Sequence, residues 1–344
     1  MTNGLSDQQI AQRRIIFGPL APAFAALRLD GPVAVLGTPR SLAALRDDDF
    51  AGAAVHRYAG VRPHNPREVV EEAGAFVDAH ACRSVVAIGS SSAIDLGKAV
   101  ADGRDVVLAL VPSALGGAEM SRGYGVVEGD RKTGGRLRSP APIVVYDAAL
   151  LASLPARELG SIGINAWAHT IEAHYARIQH VLGTAAAVEA GRRLPPLLKR
   201  AAAHRDGALH RALFENAHLA GFALDTRSMG LHHAVCHVIG GLTLIPHGIV
   251  NAVVLPHAIR ANAHLAPDAV AAAAEAFGIA DLAAEAESVA AAFALPRSFA
   301  QLGAPPDLAQ RALPRIMEHR LLENNPAPPG EATVAQLLRA AYGG

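Results

Sequence analysis

Two cysteines in 344 residues, Cys82 and Cys236, are too few and too far apart for a disulfide framework or a zinc ribbon. Aromatic residues make up 4% of the chain, with a single Trp. Together with frequent Ala, this argues against a β-sandwich and for closely packed helices. The 31 basic and 31 acidic residues cancel, and no long run of like charge occurs. Neither a nucleic acid nor an anionic membrane surface is therefore an expected partner. No uncharged apolar run reaches the roughly 18 residues that a membrane span requires. The opening MTNGLSDQQIAQRR lacks the basic-then-apolar order of a secretion signal. The expectation is a soluble cytoplasmic protein.

What the chain does have is apolar substance: 51% of its residues are hydrophobic and 18% charged. The length suits two domains. In residues 1–150, continuous apolar runs such as Val33-Ala34-Val35-Leu36-Gly37 and Val85-Val86-Ala87-Ile88-Gly89 end in Gly and precede helical patterns. Further runs lie at 106–111 and 143–146. Such runs alternating with helices predict a parallel sheet covered on both faces, a Rossmann-like α/β domain with ligand loops at the carboxyl ends of its strands. Residues 151–344 read as all-helical, with segments near 160–178, 183–203, 206–227, 229–240 and 265–293. The Pro-rich stretch NPAPPG then precedes a last helix near 332–342.

Two regions carry chemistry-bearing residues. In AIGSSSAIDLGK (residues 87–98), a buried strand meets a helix through small residues, a ready anion site at a helix N-terminus, though it matches neither GxGxxG nor a P-loop. VPSALGGAEM (111–120) offers a second small-residue loop, and Lys132 lies in a basic connection that also reads as a solvated hairpin. The other region is GLHHAVCHVIGGLTLIPHG (230–248), four histidines in an apolar setting. His233 and His237, four apart, share a helical face. Asn165 and His169 do the same on an earlier helix, and the Pro246-His247-Gly248 turn returns a further imidazole towards them. Gly240-Gly241 is expected to end the helix that carries the first pair. Neutral imidazoles with an oxygen donor suit a first-row divalent metal. Cys236 reads as a packed thiol.

The string GLHHAVCHVIGGLTLIPHGIVNAVVLPHAIRANA resembles the iron-containing alcohol dehydrogenase superfamily, and its GLHHxxCHxxGG portion is most similar to the maleylacetate reductase branch. KTGGR (132–136), VVYDAALLASLP (144–155), GINAWAHTIEAHYA (163–176) and ENNPAPPGEATVAQLLRAAYG (323–343) support the resemblance. It implies an NAD(P)-binding α/β domain over 1–150 and an all-helical domain carrying the histidine site over 151–344. This is the two-domain plan shared by dehydroquinate synthase and iron-containing alcohol dehydrogenases. It implies NAD(H) or NADP(H) held by Gly37, Thr38, Gly89, Ser90, Ser91, Ser92, Asp95, Ser113, Ala114, Leu115 and Lys132. It implies Fe2+ or Zn2+ on Asn165, His169, His233 and His247, with an amide where metal-dependent relatives have a carboxylate, so that the site also suits metal-free chemistry. His237 matches a proton-relaying histidine, and a homodimer is expected. The Gly-Ser-Ser-Ser turn replaces a glycine-rich one, which would strain the backbone if a serine had to adopt positive φ.

The activity implied is reduction of maleylacetate to 3-oxoadipate, with protonated histidines among His169, His233, His237 and His247 stabilising the developing oxyanion. Arg122 or Arg138 is a candidate for holding a substrate carboxylate. The alternatives are a metal-dependent alcohol or aldehyde dehydrogenase, a cofactor-binding protein without turnover, and a lyase of dehydroquinate-synthase architecture.

Overall fold

Alternating residues of the strands feed two separate apolar layers, which is why one sheet organises the first part of the chain. The computed structural model describes residues 13–343 except 28, 30, 64, 129, 130 and 244. The chain divides into two compact units, Met1–Leu154 and Pro155–Gly344.

The first unit contains β1 (Arg14–Phe17), α1 (Leu20–Leu27), β2 (Val33–Gly37), α2 (Pro39–Leu42), β3 (Val55–Tyr58), α3 (Arg67–Ala79), β4 (Ser84–Gly89), α4 (Ser91–Ala101), β5 (Val107–Pro112), β6 (Gly123–Glu128), β7 (Arg131–Arg136), β8 (Ile143–Tyr146) and α5 (Ala149–Ala152). Six strands form one sheet in the order β1-β8-β5-β4-β2-β3, and every pair in it is parallel. Val33, Val35, Val86 and Ile88 pack towards α1 on one face. Ala34, Leu36, Val85 and Ala87 pack towards α3 and α4 on the other. This two-sided burial accounts for the continuous apolar runs. β6 and β7 form a separate antiparallel hairpin, the hairpin reading of the basic stretch.

The chain steps from β2 to β3 on one side, then returns across β2 to place β4 on the other. The connection direction therefore reverses between β2 and β4. In open α/β sheets, ligands bind outside the carboxyl ends of strands at such a switch. Those ends are Gly37 and Gly89. Arg138 instead lines a cavity with residues preceding β5 and β8, at the amino edge of the sheet, so it is no neighbour of these turns.

The second unit contains α6 (Ala156–Tyr175), α7 (Val181–Ala203), α8 (Gly207–Arg227), α9 (Leu231–Leu242), α10 (His247–Leu265), α11 (Pro267–Phe277), α12 (Leu282–Ala292), α13 (Leu308–Met317) and α14 (Glu331–Tyr342). Small residues let the helices approach closely: a Cβ on Gly163 would lie 2.2 Å from Leu198. The lone Trp167 is fully buried and donates its indole N–H to the Gly191 carbonyl at 3.0 Å. Two boundaries differ from expectation. α9 runs through Gly240 and Gly241 to Leu242, and the segment expected as one helix over 265–293 is broken where Gly278 takes φ +68°. Among the described residues, no helix is long and apolar enough to cross a membrane.

Candidate active site

In the first unit, the Gly-Ser-Ser-Ser turn follows β4 at the switch. Gly89 alone takes positive φ, +147°, while Ser90 has φ −77°, and Ser91 and Ser92 begin α4. The condition for strain at that turn, a serine at positive φ, is therefore not met. No side chain caps α4 at Ser90, which leaves its first-turn N–H groups and the positive end of its dipole for an anion. Ser113 N–H donates to the Gly89 carbonyl at 2.9 Å, tying the second loop to this turn, and Ala114 and Leu115 are buried behind it. Gly37 leads into Thr38, which caps α2 through Ser41. These features fit a dinucleotide pyrophosphate. Asp95 is engaged within the protein: one oxygen pairs with buried Lys98 at 2.9 Å, and the other accepts from Gly125 N–H at 3.1 Å, fastening α4 to the hairpin. Lys132 pairs with Val127 in that hairpin, and its side chain lies outside the described residues.

In the second unit, the helical spacings do what the sequence suggests. Asn165, His169 and Glu172 project from one face of α6, and His233 and His237 from one face of α9. His169 stacks on His233 with centroids 4.8 Å apart, and Asn165 Oδ1 lies 3.1 Å from His233 Nε2. His247, the first residue of α10, has its ring 6.5 Å from that of His233 and 6.1 Å from that of His237. The four imidazoles and Asn165 thus converge within this unit. Sequence reasoning overlooked two neighbours. His319 brings its ring to 5.4 Å from His237, arriving through a loop that offers no sequence signal. Glu172 lies three residues after His169 and seven after Asn165, a spacing that was available to be read.

Glu172 is fully buried, and both of its oxygens have polar partners. Its Oε1 accepts backbone N–H bonds from Gly230 at 3.0 Å and His232 at 2.8 Å, so a carboxylate caps the amino end of α9. Its Oε2 lies 2.5 Å from His233 Nδ1. Burial raises the Glu172 pKa, opposed by His232 and by those backbone donors. Burial, reinforced by the neighbouring histidines, holds His169 and His233 well below the ordinary imidazole range, so both rings are neutral. The protonated His169 and His233 of the sequence reading are thereby replaced by neutral rings. Cys236 is buried beside His232, and burial pushes its thiol well up, as a packed thiol requires.

The proton positions follow. His232 Nε2 faces the Asn251 carbonyl at 3.2 Å and must donate to it, which leaves Nδ1 a lone pair. That lone pair and the Glu172 carboxylate both face His233 Nδ1, so His233 carries its proton there. His233 Nε2 is then a lone pair opposite Asn165. Two acceptors 3.1 Å apart require a cation to which both donate, or an amide turned to present its NH2. Glu172, His232 and His233 form a cluster with metal-ligand atoms, but the Glu172 and His232 atoms are already hydrogen-bonded. The set that fits a divalent ion is the converging one: Asn165, His233 Nε2, His169 and His247, with Glu172 orienting His233 from behind.

The iron-containing alcohol dehydrogenase model matches residues 29–147, and the Fe-containing alcohol dehydrogenase C-terminal model matches 161–342. The chain belongs to the iron-containing alcohol dehydrogenase family. It is an NAD(P)-dependent oxidoreductase of that family, whose similarity runs to the maleylacetate reductases. It is 33% identical over 312 residues to the maleylacetate reductase of Sphingobium indicum, covering 90% of this chain and 86% of that protein. The maleylacetate reductase structure from Agrobacterium tumefaciens superposes with TM-score 0.85 at 29% identity, covering 96% of each chain. An iron-containing alcohol dehydrogenase structure from Corynebacterium glutamicum gives TM-score 0.87 at 27% identity, covering 96% of this chain and 94% of that one.

Proposed function

We propose that this family member is a maleylacetate reductase, converting maleylacetate to 3-oxoadipate with NADH or NADPH. The observation that carries the reading is the convergence of neutral imidazoles and an amide, Asn165, on an apolar wall, in a chain a third identical to maleylacetate reductases. In this reading the α/β unit holds the cofactor, with its pyrophosphate at Gly89 and Ser90–Ser92 and its flanks near Gly37, Thr38 and Ser113–Leu115. The helical unit holds the reacting carbonyl.

When bound, the reduced nicotinamide supplies a hydride to the alkene carbon remote from the ketone, and negative charge moves to the ketone oxygen. Stabilising that oxygen requires donors preorganised where water is scarce. His233 Nε2 carries no proton, so the donor positions fall to the N–H groups of His169, His237 and His247. His237 delivers the proton that completes the product at the carbon next to the ketone. Leu231, Val235 and Ile239 of α9 are fully buried and keep the wall behind the rings dry. A divalent ion on Asn165, His169, His233 and His247, when present, supplies Lewis-acid polarisation of the carbonyl oxygen. Conjugation already spreads the charge, so the reaction tolerates the weaker amide ligand. The reading includes a cytoplasmic homodimer, tested for its dimer by light scattering.

The test is oxidation of NADH and NADPH with maleylacetate, with metal content measured on the same sample. Normal cofactor binding without maleylacetate turnover refutes the substrate. Stoichiometric metal with activity on simple aldehydes, lost on chelation, would establish the metal-dependent alcohol dehydrogenase reading instead.

A further inference from the structure

We propose that Glu172 is a positioning residue that fixes His233 in the Nδ1-protonated form, so that Nε2 is held as an acceptor towards Asn165. The inference rests on the reading above only in placing His233 among the reacting groups. The geometry that carries it is a complete set of partners. Glu172 Oε1 is committed to the Gly230 and His232 N–H groups, and Oε2 is committed to His233 Nδ1. His232, whose Nε2–H is spent on the Asn251 carbonyl, turns its Nδ1 lone pair to the same His233 proton at 3.2 Å, a neutral and more distant acceptor than the carboxylate at 2.5 Å. His233 is further fixed by stacking on His169.

The carboxylate is kept in place by what surrounds α9's first turn. Asn325 Oδ1 accepts from Leu231 N–H at 3.1 Å and from Asn262 Nδ2 at 3.2 Å, while Asn325 Nδ2 donates to Asn262 Oδ1 at 2.7 Å. A Cβ on Gly230 would lie 2.8 Å from Asn325 Oδ1, so the residue entering α9 is a glycine where the C-terminal segment crosses it. The amino end of α9 is thus clamped between a carboxylate from α6 and an amide from the ENNPAPPG stretch. The same carboxylate then reads out on the ring one turn later.

Glu172→Gln tests this, because an amide of the same shape cannot serve both sides. Its oxygen is required by two backbone donors, so its NH2 turns to His233 Nδ1 and donates there. The ring proton moves to Nε2, and the acceptor facing Asn165 is lost. In the wild-type protein, labelled with 15N-histidine and assigned by loss of signal in His233→Ala, His233 is expected in the Nδ1-protonated tautomer. In Glu172→Gln the tautomer is expected to reverse. The value of kcat is expected to fall about 10–100-fold, the range for partners behind reacting or ligating histidines, with cofactor Kd unchanged. A residue that merely capped α9 would leave the tautomer alone. A wild-type His233 protonated at Nε2, an unreversed tautomer in the variant, or a reversed tautomer with undiminished kcat overturns the proposal. The wild-type spectrum decides should the variant not fold, and it uses no substrate, so it stands apart from failure of the maleylacetate assignment.

Discussion

Replacing Gly89 with Ala separates the glycine that the cofactor turn requires from the positions where serine costs nothing. Gly89 has φ +147°, a region that L side chains rarely adopt, and holding one there costs on the order of 1–3 kcal/mol. The added Cβ would also lie 2.8 Å from the Ala93 Cβ, well inside ordinary contact, which forces α4 away from β4. Overpacking of this kind costs roughly 1–3 kcal/mol by itself, so together these make Gly89→Ala destabilising by about 2–6 kcal/mol. For a unit of this size that lowers Tm by about 4–24 °C. The displaced helix end also carries the free N–H groups expected to meet the pyrophosphate. Cofactor affinity should therefore fall at least tenfold, at a temperature where the variant is fully folded. Ser90→Gly is the control: Ser90 sits at φ −77°, so its removal should change Tm by less than about 3 °C, in keeping with sub-kcal/mol glycine effects. The measurements are a thermal melt and a titration followed by nicotinamide fluorescence. Equal tolerance of both substitutions would refute the reasoning.

Asn165→Asp places a carboxylate 3.1 Å from the His233 lone pair, where no NH2 can turn to meet it, so affinity for Zn2+ measured by calorimetry should rise at least tenfold. Unchanged affinity would place residue 165 outside the donor set. His237→Asn should lower kcat by about 10²-fold or more, the usual range for a lost general acid, while leaving cofactor Kd unaltered. Undiminished kcat would remove His237 from the reaction. Acidification should destabilise the protein below about pH 6.5, the ordinary histidine pKa. There the unfolded chain takes up protons that buried His169, His232 and His233 refuse, each worth up to about 1.4 kcal/mol per pH unit. The raised pKa values of Glu119 and Glu172 act oppositely as pH falls towards the ordinary Glu range, because the folded state then binds the proton first, and they offset part of the loss. A Tm that stays level or rises from pH 7.5 to 5.5 would contradict this.

The parts legible in the sequence are those in which local periodicity and tertiary position coincide. Spacings of four on α6 and α9 put Asn165 with His169, and His233 with His237, before any packing is known. Strands buried on both faces write themselves as unbroken apolar runs. The edge strands β1 and β3 do not: VHRY is half-buried along its whole length and carries polar residues, so it lacks the signal of a central strand. His247 reads as a turn residue after Pro246, whereas it opens a helix of 19 residues that continues through Pro256. The spacing of Glu172 on the face of Asn165 and His169 is legible, but its role is not. A buried carboxylate is explicable only by its donors, and these come from the amino end of another helix about sixty residues away. His319 is likewise placed by a loop whose neighbours Asn324 and Asn325 bond to distant backbone.

The amide at residue 165 bears on the kind of substrate the pocket accepts. The charge of Glu172, in contact with the ring cluster through His233, is answered by two backbone N–H groups and the His233 N–H. The neutral rings in front of it therefore face the reacting group with little net negative charge. A second carboxylate at residue 165 would repel an anionic substrate group about 5 Å away by roughly 3 kcal/mol, at the effective dielectric of about 20 that suits such sites. A neutral aldehyde would feel none of this. Maleylacetate carries two carboxylates, and its conjugated alkene lessens the need for a strongly held Lewis acid. The substitution that weakens a metal site is thus the same one that lowers the barrier to a dianion. A neutral aldehyde, needing more carbonyl polarisation and suffering no repulsion, would favour the carboxylate; the proposed substrate favours the amide on both counts.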